Sequence, residues 1–146
     1  MGAPSASCAK ALALKGLVLA DLLLDSDVII AWLRGYAPFA ELIPALVSKA
    51  TTLAWTPVSV AEIYAGVRRG EEKQIENLFL VLEILPLSAE IGKKAGHYLQ
   101  SYSKSHSVEL ADALIAAAAY THDMTLWTLN KKHYPMKDIR FFSPNV

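Results

Sequence analysis

The chain is predicted to fold as a single α/β domain, with a mainly parallel sheet flanked by helices on both faces. Short apolar runs alternate with longer segments of helical periodicity along the whole chain. The 146 residues suit one domain with a sizeable core. Hydrophobic residues make up 53% and mean hydropathy is +0.30, as expected where strands are buried on both faces.

Taken in order, Leu17–Leu24 reads as the first buried strand. Residues 1–16, small and apolar around Lys10 and Lys15, read as a tail outside a domain spanning 17–146. Val28–Leu33 starts a helix that Gly35 ends. Pro38 and Pro44 bracket the start of a second helix over about 39–49, and the run TTLAWT (51–56) is a strand followed by Pro57. A helix from Ser59 to Arg69 stops at Gly70, and Glu71–Leu82 forms the next, with Ile75, Leu78, Phe79 and Leu82 on one face. Ile84–Pro86 is a short strand or connector. Helices Ser88–Ser103 and Ser107–His122 follow, then strands Thr125–Leu129 and Ile139–Phe142. The alanines at 116–119 suit close helix packing.

Fourteen basic and fourteen acidic residues cancel, with pI ≈ 6.9. Any nucleic-acid site must therefore rest on local patches. The single Cys8 excludes an internal disulfide and a cysteine-based zinc cluster. Lys15 and Asp21 interrupt the longest apolar stretch, well short of the roughly 20 residues of a membrane span. A cytoplasmic protein is expected.

In a sheet of this class, ligands bind beyond the carboxyl ends of the strands. Polar residues gather at those ends. Asp25 interrupts LLLDSDVII where the first strand stops, and Asn130 follows the strand Leu126–Leu129, with Thr128 on the same side of the pleat. Glu62 lies early in the helix after TTLAWT. Asp112 sits in VELADALIAAAAY, a helix apolar almost all round, where a lone buried charge is costly.

Structural roles compete with functional ones. Asp25 or Asp27 can cap the helix starting at Val28. Ser59 and Glu62 match a capping box, and Asn130 suits a turn. Asp112 reads as too far into its helix to cap it. His97, His106, His122 and His133 show no metal-ligand spacing and read as surface or packing residues. Convergence explains the four polar positions together better than four separate structural roles. Three carboxylates in one cleft repel unless a cation holds them, and all-oxygen ligands suit Mg²⁺ or Mn²⁺. A metal-bound water can then attack phosphorus. Arg68 and Arg69 near Glu62, with Lys131 and Lys132 after Asn130, suit a phosphate backbone crossing the site. Arg69 is expected on the helix face of Glu62, two turns on.

LLLDSDVII, SVAEIYAGVRRG, VELADALIAAAAY and TLWTLNKKHYP, in this order and spacing, resemble the PIN-domain ribonucleases, most of all the VapC-type toxins of toxin–antitoxin pairs. The likeness covers about residues 17–143. It implies that Asp25, Glu62 and Asp112 are metal ligands and that Asn130 stands where the family has Asp or Asn. Thr128 and Ser26 match hydroxyl neighbours, and Asp27 falls where many members have Asn. It further implies an endoribonuclease dependent on Mg²⁺ or Mn²⁺, acting on RNA as a homodimer and inhibited by a VapB-type antitoxin. Trp32, Tyr36 and Phe39 are candidates for the antitoxin groove. The alternative is a catalytically degenerate PIN-fold module that binds RNA or a protein partner.

Overall fold

A computed structural model describes residues 21–49 and 51–144. The tail 1–16 and residues 17–20 of the expected first strand lie outside the described residues. Among the described residues five strands, β1 (Leu22–Leu24), β2 (Leu53–Trp55), β3 (Glu83–Ile84), β4 (Thr125–Trp127) and β5 (Arg140–Phe141), form one sheet in the order β3-β2-β1-β4-β5. Every neighbouring pair is parallel. The helices are α1 (Ser26–Leu33), α2 (Phe39–Ser48), α3 (Pro57–Ala65), α4 (Glu72–Val81), α5 (Ala89–His106) and α6 (Leu110–Thr121).

Strand alternation divides the core in two. Leu22 and Leu24 face one way, with Trp55 and Trp127, onto Val28, Ile29, Ile43 and Leu78 of α1, α2 and α4. Leu23, Ala54 and Leu126 face the other way, onto Ile91 and Ala95 of α5 and the alanines of α6. Ala116, Ala117 and Ala118 are fully buried. Their small side chains let α6 approach both α5 and the sheet, as the alanine run implied.

Local chemistry sets the element ends. Gly35 takes φ 69° just past α1, a left-handed conformation that costs glycine little. Thr56 caps α3, its Oγ1 accepting from the Ser59 amide at 3.5 Å, with Pro57 in the first turn. Ser88 caps α5 through the Ile91 amide at 3.3 Å.

Three expectations are corrected. α3 starts at Pro57, so Ser59 is not its cap and no capping box involves Glu62. α3 also stops at Ala65, with Gly66 closing it. Arg68 and Arg69 thus lie in the following turn, and Arg69 does not share the helix face of Glu62. α6 starts at Leu110 rather than Ser107, which moves Asp112 into its first turn.

From β1 the chain winds outward through β2 to β3, then returns to lay β4 against the other side of β1. This reversal opens a crevice between the carboxyl ends of β1 and β4, where such sheets bind ligands.

The α5–α6–sheet packing leaves no room at position 117. Ala117→Leu is expected to lower unfolding free energy by about 1–3 kcal/mol. Urea denaturation of wild type and variant at equal protein concentration measures it.

Candidate active site

Register brings the first two contributors together. Leu24 pairs with Trp127, and the Asp25 amide donates to the Trp127 carbonyl at 2.9 Å. Asp25 and Thr128 therefore leave their strands side by side. Asp25 is only 8% exposed. Its Oδ1 accepts from the Ser26 amide at 2.8 Å, capping α1. Its Oδ2 accepts from the Thr128 hydroxyl at 3.0 Å and from the Tyr134 hydroxyl at 2.7 Å. The capping role is real, and it uses one oxygen of the carboxylate.

Asp27 ties the same two elements together. Its Oδ2 accepts from the Leu129 amide at 3.1 Å and lies 3.3 Å from the Thr128 hydroxyl. Its Oδ1 is buried without a partner among the described residues. Burial, and then the neighbouring Asp25 charge, push its pKa up to about 6.

Glu62 reaches the cleft from α3, and its Oε1 accepts from the Ser26 hydroxyl at 3.2 Å. Asp112 accepts from the Glu109 amide at 3.2 Å through Oδ2, so it does help cap α6, contrary to the sequence expectation. Partial burial raises the pKa of both above the ordinary carboxylate value. For Glu62 the charges of Asp25, Asp112 and Glu109 add to the rise, and for Asp112 those of Asp25 and Glu109 do. The three carboxylates thus lie within one another's field. Among the described residues, no lysine or arginine pairs with any of them.

Asn130 donates its amide to the Thr128 hydroxyl oxygen at 3.1 Å, and its side-chain nitrogen lies 3.5 Å from His133 Nε2. The His133 charge lowers the Asp112 pKa, so His133 belongs to the rim of the cleft. Lys131 hydrogen-bonds Ser143 and lies over the Phe141 ring. It also lines a cavity of about 440 Å³ with Phe39, Thr128 and Leu129. Lys132 is exposed on the same turn, whereas Arg68 and Arg69 are exposed after α3. Of the three aromatics, Phe39 packs against Trp127. Trp32 lines a groove of about 300 Å³ with Leu33, Gln74, Asn77, Leu78 and Val81, and Tyr36 is exposed.

Sequence reasoning missed Tyr134, and it set His133 aside with the other histidines. A tyrosine four residues after Asn130 reads as core, and its ring is core; only the hydroxyl reaches the cleft.

The residues present fit a hard divalent cation. The donor set is all oxygen and negative, and among the described residues no lysine or arginine neutralises it. It is also open: among the described residues, no three His, Cys, Asp or Glu side chains gather closely enough to enclose a metal by themselves. Mg²⁺ tolerates this, because it keeps several waters and takes only one or two carboxylates with substrate phosphate.

The profile of the PIN domain matches residues 22–139. The chain belongs to the PIN-domain family. It is 37% identical over 116 residues to Ribonuclease VapC10 of Mycobacterium tuberculosis, covering 79% of this chain and 86% of that one. Ribonuclease VapC19 of the same species is 30% identical over 115 residues, 78% of this chain and 92% of that one. The crystal structure of VapBC2 from Rickettsia felis, bound to a DNA fragment from its promoter, shares the PIN fold with a TM-score of 0.68 at 22% identity. That match covers 83% of this chain and 96% of that chain. Among the described residues, no helix is long and apolar enough to cross a membrane.

The raised Asp27 pKa makes a stability prediction for metal-free protein. The folded state holds the Asp27 proton more tightly than the unfolded chain. The resulting stabilisation is full below about pH 4 and is lost as pH rises through about 6. Asp27→Asn is expected to flatten this fall and to gain on the order of 1 kcal/mol at pH 7, after discounting for solvent screening. Chemical denaturation in EDTA between pH 4 and 7.5 measures it.

Proposed function

We propose that the protein is an endoribonuclease dependent on Mg²⁺ or Mn²⁺, a toxin of the VapC type that a VapB-type antitoxin restrains. The observation that carries this reading is the convergence of Asp25, Glu62 and Asp112 at the β1/β4 crevice, within one another's field and, among the described residues, without a lysine or arginine partner. The likeness to Ribonuclease VapC10 supplies the substrate class. Asp25, Glu62 and Asp112 would hold the cation, directly or through its waters. When bound, that cation neutralises phosphate charge and lowers the pKa of water.

The chain's own residues divide the remaining work. Ser26 orients Glu62 through its hydroxyl. Thr128 joins Asp25 to the turn that carries Asn130. Asp27 supports that turn through the Leu129 amide. Lys131 and Lys132 on one side, and Arg68 and Arg69 after α3, attract the RNA backbone. The antitoxin and a homodimer complete the reading, by the VapC likeness.

A second reading, a binding module without catalysis, is favoured by the openness of the carboxylate cluster. Titration calorimetry with Mn²⁺ separates the two, since failure to bind in the millimolar range supports the module.

Purified protein free of antitoxin should cut cellular RNA at discrete sites in Mg²⁺ and lose this in EDTA. Asp112→Asn should lower the rate by at least about a hundredfold, judged against the cost of disturbing a metal's surroundings. Undiminished cleavage by that variant would sink the reading.

For RNA binding measured on Asp112→Asn protein, replacing Lys131 and Lys132 by alanine should reduce the slope of log affinity against log salt. A drop of about 0.7 is expected for each lysine that contacts a single strand. An unchanged slope would place the RNA elsewhere.

A further inference from the structure

Asp25 is a buried carboxylate whose two oxygens are unequally engaged. Oδ2 accepts from both Thr128 and Tyr134, while Oδ1 accepts from the Ser26 amide alone. The donors to Oδ2 also differ in kind. The Thr128 hydroxyl has a single proton, and it lies within reach of both Asp25 Oδ2 and Asp27 Oδ2, at 3.0 and 3.3 Å. That donor is shared. The Tyr134 hydroxyl donates at 2.7 Å to Asp25, its one carboxylate partner.

The ring that carries this hydroxyl is held firmly. Tyr134 is 3% exposed and belongs to the core layer that includes Leu23, Leu126 and Met136, its ring inclined at 64° to that of Phe141. A short 3₁₀ turn, Lys131–His133, delivers it directly after Asn130, and its amide donates back to the Lys131 carbonyl at 2.9 Å. A rigid aromatic stem thus ends in a donor aimed at one oxygen of the leading candidate ligand.

We propose that Tyr134 is a positioning residue for cation binding: it pins Oδ2 of Asp25, so that Oδ1 is the oxygen offered to the metal. The proposal rests on the metal-dependent reading of this cleft. Partners that orient ligating side chains are commonly worth 10–100-fold in metal affinity. Tyr134 adds such a partner from the core, beyond the polar motif residues.

The test is Mn²⁺ binding by calorimetry and by electron paramagnetic resonance, on intact protein without substrate. Tyr134→Phe removes the hydroxyl and keeps the ring. An internal control exists in Tyr98→Phe, because Tyr98 is also buried and donates at 2.7 Å to a carboxylate, Asp138, that is not among the candidate ligands. Tyr134→Phe should weaken Mn²⁺ binding by about tenfold or more, while Tyr98→Phe stays within about twofold of wild type. Both should lower the melting temperature in EDTA, so stability alone does not separate them. Should Tyr134→Phe fold poorly, 4-fluorophenylalanine at 134 fills the volume of the hydroxyl without donating a hydrogen bond, and the same loss of affinity is expected; wild-type affinity would overturn the proposal. Equal affinities in wild type and Tyr134→Phe, or equal losses in the two phenylalanine variants, would overturn the proposal and leave the nuclease reading standing. Absence of Mn²⁺ binding by wild type would overturn both.

Discussion

A carboxylate buried at the end of a hydrophobic strand is the constraint around which this site is arranged. Asp25 has no cation beside it among the described residues, so hydrogen bonds alone stabilise its charge. A donor comes from each of three places: the first amide of α1, the residue after β4 and the core tyrosine beyond it. Removing a partner from a buried charge costs more than the bond itself contributed. The end of β1, the start of α1 and the turn after β4 are therefore held as one unit.

Around that fixed point the other carboxylates are held more loosely. Glu62 leans on the Ser26 hydroxyl and Asp112 on a backbone amide at the start of α6. One rigid carboxylate and two adjustable ones would suit a cation that arrives hydrated and leaves part of its shell to substrate. The pKa shifts agree: partial burial raises both Glu62 and Asp112, and the neighbouring carboxylate charges add to the rise a repulsion that a cation would relieve.

Much of this was legible in the sequence. Aspartates that break an apolar run mark a strand end, and the helix–strand alternation placed the end of β1 and the strands β2, β4 and β5 within a few residues, while leaving residues 84–86 as a strand or a connector. The two cap assignments were misread in opposite directions. Ser-x-x-Glu looked like a capping box, but Thr56 and Pro57 start α3 earlier and free Glu62 for the cleft. Asp112 looked too deep to cap, but α6 starts later and places it in the first turn. Helix starts depend on which of several polar residues wins a local competition, and spacing alone does not decide it. Arg69 was misplaced for the same reason at the other end of α3. Tyr134 was illegible for a different reason, because one residue serves the core with its ring and the site with its oxygen.

The parallel pairing of β1 with β4 also bears on how the protein is made. Asp25 and Tyr134 are separated by 109 positions in the chain, and β1 finds its second neighbour, β4, only after α1 to α6 have been synthesised. A polypeptide growing on a ribosome carries Asp25, Glu62 and Asp112 well before it carries Thr128, Asn130 and Tyr134. The cleft therefore cannot assemble until residue 134 has emerged, and a nascent product shorter than that has no organised centre with which to attack the RNA around it.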